Sequence, residues 1–191
     1  MRLFAASLLL SAFATPAFAQ DNADRPFEGA SITAITGIDG TNQFDAKGTG
    51  VLYGAQAGYD IQRGKLVLGV EGEVAGSTAK ACTTYTAGSS YCTKADRDLY
   101  VGGKLGVAVG NSTLLYAKAG YTNYRDKFSF ADPATPANNY RGSGVMDGIR
   151  GGVGVEQKVG ANVSVKAEYR YSNYESDYSR NQGVVGVGFH F

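Results

Sequence analysis

The side chains best suited to chemistry are few and scattered. His190 is the sole histidine in 191 residues, one position from the C-terminal Phe191. A histidine paired with a serine and oriented by a carboxylate would be the core of a hydrolytic site. The tail GVVGVGFHF, Gly183 to Phe191, sets His190 on one side with Gln182, Val184, Gly186 and Gly188, because side chains of a strand alternate between two faces. The carboxylates Asp96, Asp98, Glu175 and Asp177 lie in polar stretches at the other end of the proposed strands, where loop carboxylates are solvated and no histidine is near to shuttle a proton. No catalytic residue is assigned, and the chain reads as a non-enzyme. The runs GVVGVG and GGVGV lack a phosphate-loop lysine at the required spacing. They indicate close packing, and no cofactor is expected.

Cys82 and Cys92 are the only cysteines, in ACTTYTAGSSYCTK. Two thiols without a neighbouring histidine make a poor zinc site, so metal binding is set aside. The N-terminus carries the pattern of an exported chain, whose oxidising destination favours a Cys82–Cys92 disulfide closing a short loop. In MRLFAASLLLSAFATPAFAQ, Arg2 precedes an apolar stretch from Leu3 to Phe13, and Ala17 and Ala19 fit a cleavage site. Residues 1–19 are expected to be a signal peptide, 20–26 a short N-terminal segment, and 27–191 the folded domain.

The elements that must carry these residues are strands. Beyond the leader no apolar run approaches the length of a spanning helix, yet about eight alternating stretches recur with turn material between them. They run from Phe27 to Ile38, Val51 to Gln62, Leu66 to Ala75, Leu99 to Val109, Thr113 to Tyr124, Val145 to Gln157, Val163 to Tyr174 and Gly183 to Phe191. Each is near the length that a tilted strand needs to cross a bilayer. Tight connections around Arg63, Asn111 and Ala161 alternate with longer ones at 39–50, 76–97, 125–144 and 175–182. Short turns at one end and long loops at the other match an outer-membrane barrel.

The two faces differ in kind. Val163, Val165, Ala167, Tyr169 and Tyr171 oppose Ser164, Lys166, Glu168 and Arg170. Leu66, Leu68, Val70 and Val74 oppose Glu71 and Glu73, and the same holds in strand after strand. A soluble sandwich would bury the apolar face and wet the charged one, and alternation alone does not separate the two. The one-sided tight turns, the leader and the aromatic ending favour an all-β, eight-stranded, antiparallel up-and-down transmembrane β-barrel. Two strands fit less cleanly. The first, with Ile32, Ala34 and Ile38 outward, leaves Ile35 inward. The sixth would turn Asp147 to lipid, so a later start or a bulge is expected there.

A barrel of this strand number is just wide enough for side chains to fill. The inward set holds Lys104, Lys118, Arg150, Lys166 and Arg170 against Asp60, Glu71, Glu73, Glu156 and Glu168. Charges of both signs in a narrow tube should pair, because an isolated one is strongly disfavoured. A salt-bridged plug is the reading, and a charged ion pathway or gate is its rival. Tyr53, Tyr121, Tyr169 and Tyr171 near the loops, with Tyr59 and Phe189 near the turns, would supply the aromatic girdles. Net charge is +1 with no basic run, so nucleic acid is not expected as a partner.

Several segments resemble small porin-like outer-membrane proteins of the opacity-protein and surface-antigen family. These are FEGASITAITGID, GVLYGAQAGYDIQ with its turn and KLVLGVEGEVAGS, then LLYAKAGYTNY, GGVGVEQKVGANVSVKAEYRYSNY and VGVGFHF. The resemblance covers essentially the mature chain, and the long loops match nothing specific. It implies an eight-stranded barrel in the outer membrane of a Gram-negative envelope, surrounded by lipid. It also implies that Val185, Val187, Phe189 and Phe191 form the signal read by the barrel-assembly machinery. A monomer with a structural role is expected, and the loops KADRD and NNYRGSG are available to a surface ligand. An adhesin or surface antigen and a narrow channel are the alternatives.

Overall fold

The computed structural model describes residues 25–43, 46–85, 88–175 and 178–191. The expected signal peptide and most of the segment 20–26 lie outside the described residues. The strands are β1 (Gly29–Gln43), β2 (Ala46–Arg63), β3 (Leu66–Ser77), β4 (Lys80–Thr84), β5 (Ser90–Val109), β6 (Thr113–Ala131), β7 (Tyr140–Lys158), β8 (Val163–Tyr174) and β9 (Tyr178–His190). Every neighbour in the sheet is antiparallel, and β1 pairs on one side with β2 and on the other with β9. Ile32, for instance, faces Ala57 of β2 and Phe189 of β9. The sheet therefore closes into an eight-stranded barrel with no free edge. The remaining strand, β4, is the outer arm of a hairpin on β5, and it touches β2 through a single pair, Thr49 with Lys80.

Glycine makes two of the tight turns possible. Gly64 between β2 and β3 has φ 58°, and Gly110 between β5 and β6 has φ 67°, a left-handed region that costs side-chain-bearing residues about 1–2 kcal/mol.

Alternation continues along the strands. Ile149 is 71% and Val70 65% exposed, whereas Arg150 is 1% and Arg170 0%. In water such a belt of exposed valine, leucine, isoleucine and tyrosine would far exceed the apolar patch that a soluble monomer tolerates. Hydrocarbon is the medium it fits, and among the described residues no helix is long and apolar enough to cross a membrane. The ambiguous first strand resolves with Ile32, Ala34 and Ile38 outward and Ile35 inward.

Two expectations need correction. The strands outrun the bounds inferred for them, so much of the expected loops 39–50, 76–97 and 125–144 is ladder. And β7 neither starts late nor bulges: it pairs continuously with β6 from Tyr140. Asp147 does stand on the outer wall, where it accepts hydrogen bonds from the Tyr121 hydroxyl and, at 2.6 Å, from Asn123 Nδ2. The register break lies instead in β5, between Ala95 and Arg97, with Asp96 as the extra residue.

Candidate functional site

The lumen is built by the inward residues of all eight barrel strands, and it is layered. At the turn end Phe27, Val67, Ala108, Leu114 and Tyr116 form an apolar floor. Phe27 reaches it because its backbone N–H donates to Gln62 Oε1 at 3.0 Å, which fastens the segment before β1 under the barrel. Glycine opposite an inward ring leaves the room each ring needs; a Cβ on Gly154 would come within 2.7 Å of Tyr116 Cζ.

Above the floor lie the charges. Lys104 donates to Asp60 at 2.7 Å. Lys118 bridges Glu71 at 2.5 Å and Glu168 at 2.7 Å, and its ammonium sits 4.9 Å from the Tyr100 ring centroid. Glu168 also receives Arg170 at 3.1 Å and lies 3.6 Å from Lys166, which donates to Gln56 Oε1. Glu73 accepts from Arg170 at 2.8 Å, Arg150 at 3.2 Å and Gln56 at 2.5 Å. All ten residues singled out from the sequence face inward; nine have an oppositely charged partner, and Glu156 meets His190 at 2.7 Å.

Toward the loop end the network continues through residues that sequence reasoning left out. Asp98 receives Arg150 at 2.5 Å and Arg180 at 2.8 Å, and Arg180 closes on Asp39 at 2.5 Å. Asp98, read as a solvated loop carboxylate, is 2% exposed. That reading is corrected: β5 extends beyond Leu99 and carries Asp98 inward, where Thr122 also donates to it at 2.9 Å. Above Arg180 a second apolar layer closes the tube. Tyr124 stacks on Tyr178 with ring centroids 5.3 Å apart and packs against Tyr174 at 5.5 Å, beside Ala79, Ala95 and Met146.

His190 does not have the geometry of a hydrolytic triad. His190 Nε2 lies 2.7 Å from Glu156 Oε1 and 3.1 Å from Ser164 Oγ, both on the same ring nitrogen, while Nδ1 has no partner among the described residues. A hydrolytic triad needs the serine and the carboxylate on opposite nitrogens. Among the described residues no cluster of histidine, cysteine and carboxylate is placed to hold a metal.

Outside the lumen, Cys82 and Cys92 are opposed across the β4–β5 hairpin with Cα atoms 4.1 Å apart and are joined as a disulfide. Val185, Val187, Phe189 and Phe191 lie on the outer wall, each about half exposed. So do Tyr53, Tyr59, Tyr121, Tyr169 and Tyr171.

A filled, closed cylinder of this kind has known counterparts. The outer membrane protein beta-barrel domain matches residues 5–191. The chain belongs to that family. As a family member it resides in the outer membrane. Solved structures similar to this family member include Ail, the attachment invasion locus protein of Yersinia pestis, at 17% identity and TM-score 0.56 over 86% of this chain and 99% of that one. Ail in complex with the heparin analogue sucrose octasulfate aligns at 14% identity and TM-score 0.55, over 86% of this chain and 99% of that one. Neisserial surface protein A aligns at 16% identity and TM-score 0.57, over 86% of this chain and all of that one (100%). At these identities the likeness is one of fold. No curated protein matches the chain.

Proposed function

We propose that this family member is a sealed structural barrel of the outer membrane, a non-conducting and non-catalytic pedestal that holds an extracellular β-extension. The observation that carries this reading is the stacking of layers in the lumen. Arg150, Arg170 and Arg180, each at most 1% exposed, fill the cross-section between an apolar floor at Phe27 and a tyrosine lid at Tyr124. An ion crossing it would have to displace paired guanidinium groups in a space of low dielectric, at a cost of several kcal/mol per ion. Lipid is its partner along the wall, and a monomer closes the eight-stranded barrel by pairing β1 with β9. Entry through the barrel-assembly machinery, with Val185, Val187, Phe189 and Phe191 as the address, is part of the proposal and is supported by their outward position on and just beyond β9.

Planar-bilayer recording of the refolded protein tests it. The expected trace stays at the baseline of protein-free membrane; stepwise openings of uniform size would show a channel instead.

A second reading, recognition of a surface ligand, is supported by the disulfide-closed hairpin that stands on the barrel's loop end. Cell-binding assays with β4 deleted separate the two, since a purely structural role leaves binding unchanged.

A further inference from the structure

The outer wall changes character where β4 to β7 leave the lipid. Along β6 the outward side chains run Tyr121, Asn123, Arg125, Lys127 and Ser129. Directly opposed pairs are like-charged: Lys80 faces Lys94, Lys94 faces Lys127, and Arg97 faces Arg125. With Arg141 these six basic residues surround one carboxylate, Asp96, which accepts from Lys127 at 2.7 Å and lies 3.9 Å from Arg125. Lys80, Lys94 and Arg141 have no carboxylate partner among the described residues. Like charges directly opposite destabilise a strand pair, so the folded protein holds these residues together against their repulsion. Between them runs an open groove of about 750 Å³, lined by Lys80, Lys94, Arg125, Lys127 and Arg141 and by the hydroxyls of Thr78, Ser129 and Ser143.

We infer that this groove binds the phosphate-bearing saccharide headgroup of a glycolipid in the surrounding outer leaflet. Position argues for lipid over a soluble ligand. The basic residues continue the lipid-facing side of the wall, whereas the lumenal side of β5 and β6 carries Ala95 and Tyr124. Height argues for a saccharide headgroup over a simple phospholipid. At about 3.3 Å per residue, Arg125 and Lys127 stand roughly 13 and 20 Å along β6 from Tyr121, less the strand tilt. A phospholipid headgroup layer extends only about 5–8 Å beyond the hydrocarbon. A phosphorylated sugar reaches the arginines and lysines, and the hydroxyls beside them suit its remaining oxygens. Arg125 and Arg141, both in the groove lining, offer forked donors to phosphate. Below the groove Asp147, bonded to Tyr121 and Asn123, marks its carboxylate edge. The inference is independent of whether the lumen conducts.

The test uses the refolded full chain in lipid nanodiscs. Retention is measured for a bis-phosphorylated glucosamine-disaccharide lipid, its dephosphorylated form, phosphatidylglycerol at equal charge, and a soluble sulfated oligosaccharide. The phosphorylated glycolipid should be retained preferentially. Removing its phosphates should abolish that preference, and K94Q/R125Q/K127Q should weaken retention by roughly five-fold per charge removed, with the folded gel mobility of the unboiled protein unchanged. K80Q/R141Q serves as a second variant at the far sides of the groove, and the dephosphorylated arm needs no variant. Equal retention after dephosphorylation overturns the inference. So does an unaltered folded variant, or a preference for phosphatidylglycerol or for the soluble oligosaccharide.

Discussion

Arg170 meets Glu73 across the lumen at 2.8 Å, with neither side chain exposed to solvent. Glu73 also neutralises Arg150, so one carboxylate holds two guanidinium groups from different strands. Glu73→Ala leaves Arg150 with Asp98 and Arg170 with Glu168, one carboxylate fewer for each. Breaking a buried pair by removing one partner costs about 3–5 kcal/mol. The urea midpoint of the refolded protein in detergent, followed by the shift between folded and boiled gel mobility, should fall accordingly. An unchanged midpoint would mean that water already reaches these arginines.

Lys104 and Asp60 form a simpler pair, since 2.7 Å separates them and Lys104 has no other ion pair among the described residues. Lys104→Met or Asp60→Leu alone should destabilise by several kcal/mol, while the double variant recovers most of the loss, because two apolar side chains replace both desolvated charges at once. A double-mutant cycle on the same gel assay measures the coupling. Additive losses would contradict the isolation of this pair.

The faces of the barrel were legible within the bilayer and obscure above it, for one physical reason. Where lipid lies outside, the contrast between Tyr169 or Val165 and Lys166, Glu168 or Arg170 is unmistakable, and ten of the lumenal charges could be picked out from it. Beyond the girdle, water replaces lipid and the outward residues become Arg97, Arg125 and Lys127. The apolar–polar contrast vanishes there although the ladder continues. Asp39, Asp98 and Arg180 were missed because they lie in that zone. Their signal was phase: Asp39 follows Ile35 and Gly37, and Arg180 precedes Gln182 and Val184, on the inward face. Asp147 misled for the same reason, since a carboxylate on the outer wall is tolerated once Tyr121 and Asn123 satisfy it. The disulfide needed only export and proximity. The register break at Asp96 left no periodic trace.

The disulfide should protect the hairpin and leave the barrel alone. Cys82 and Cys92 are ten residues apart, and closing a loop of that size stabilises by roughly 2–3 kcal/mol. That constraint acts on β4 and the upper part of β5, while barrel closure rests on the other strand pairs. Cys82→Ser with Cys92→Ser should therefore speed proteolytic cleavage within the hairpin severalfold and leave the barrel's urea midpoint unmoved. Mass analysis of the fragments reads the first outcome and the gel assay the second. A lowered midpoint would show that the hairpin braces the wall.

Asp96 is the carboxylate set among the basic groove residues, and the bulge at its position turns it toward Lys127. The hydrogen bond from that ammonium is the main reason its carboxyl stays below the usual range; the nearby arginines add to the effect. A depressed value keeps it ionised as the pH drops from 7 to 5, so the groove's own charge should hold steady over that interval. Asp96→Asn removes the competitor for Lys127 and Arg125 and should raise retention of a phosphorylated glycolipid by about five-fold, the effect of one net charge near a membrane surface. Raising the salt from 0.01 to 0.15 M shortens the screening length from roughly 30 to 8 Å, so the variant's advantage should shrink with it. A variant that binds no better at low salt would mean that Asp96 orients the lysine for its ligand, and that this positioning outweighs the repulsion it adds.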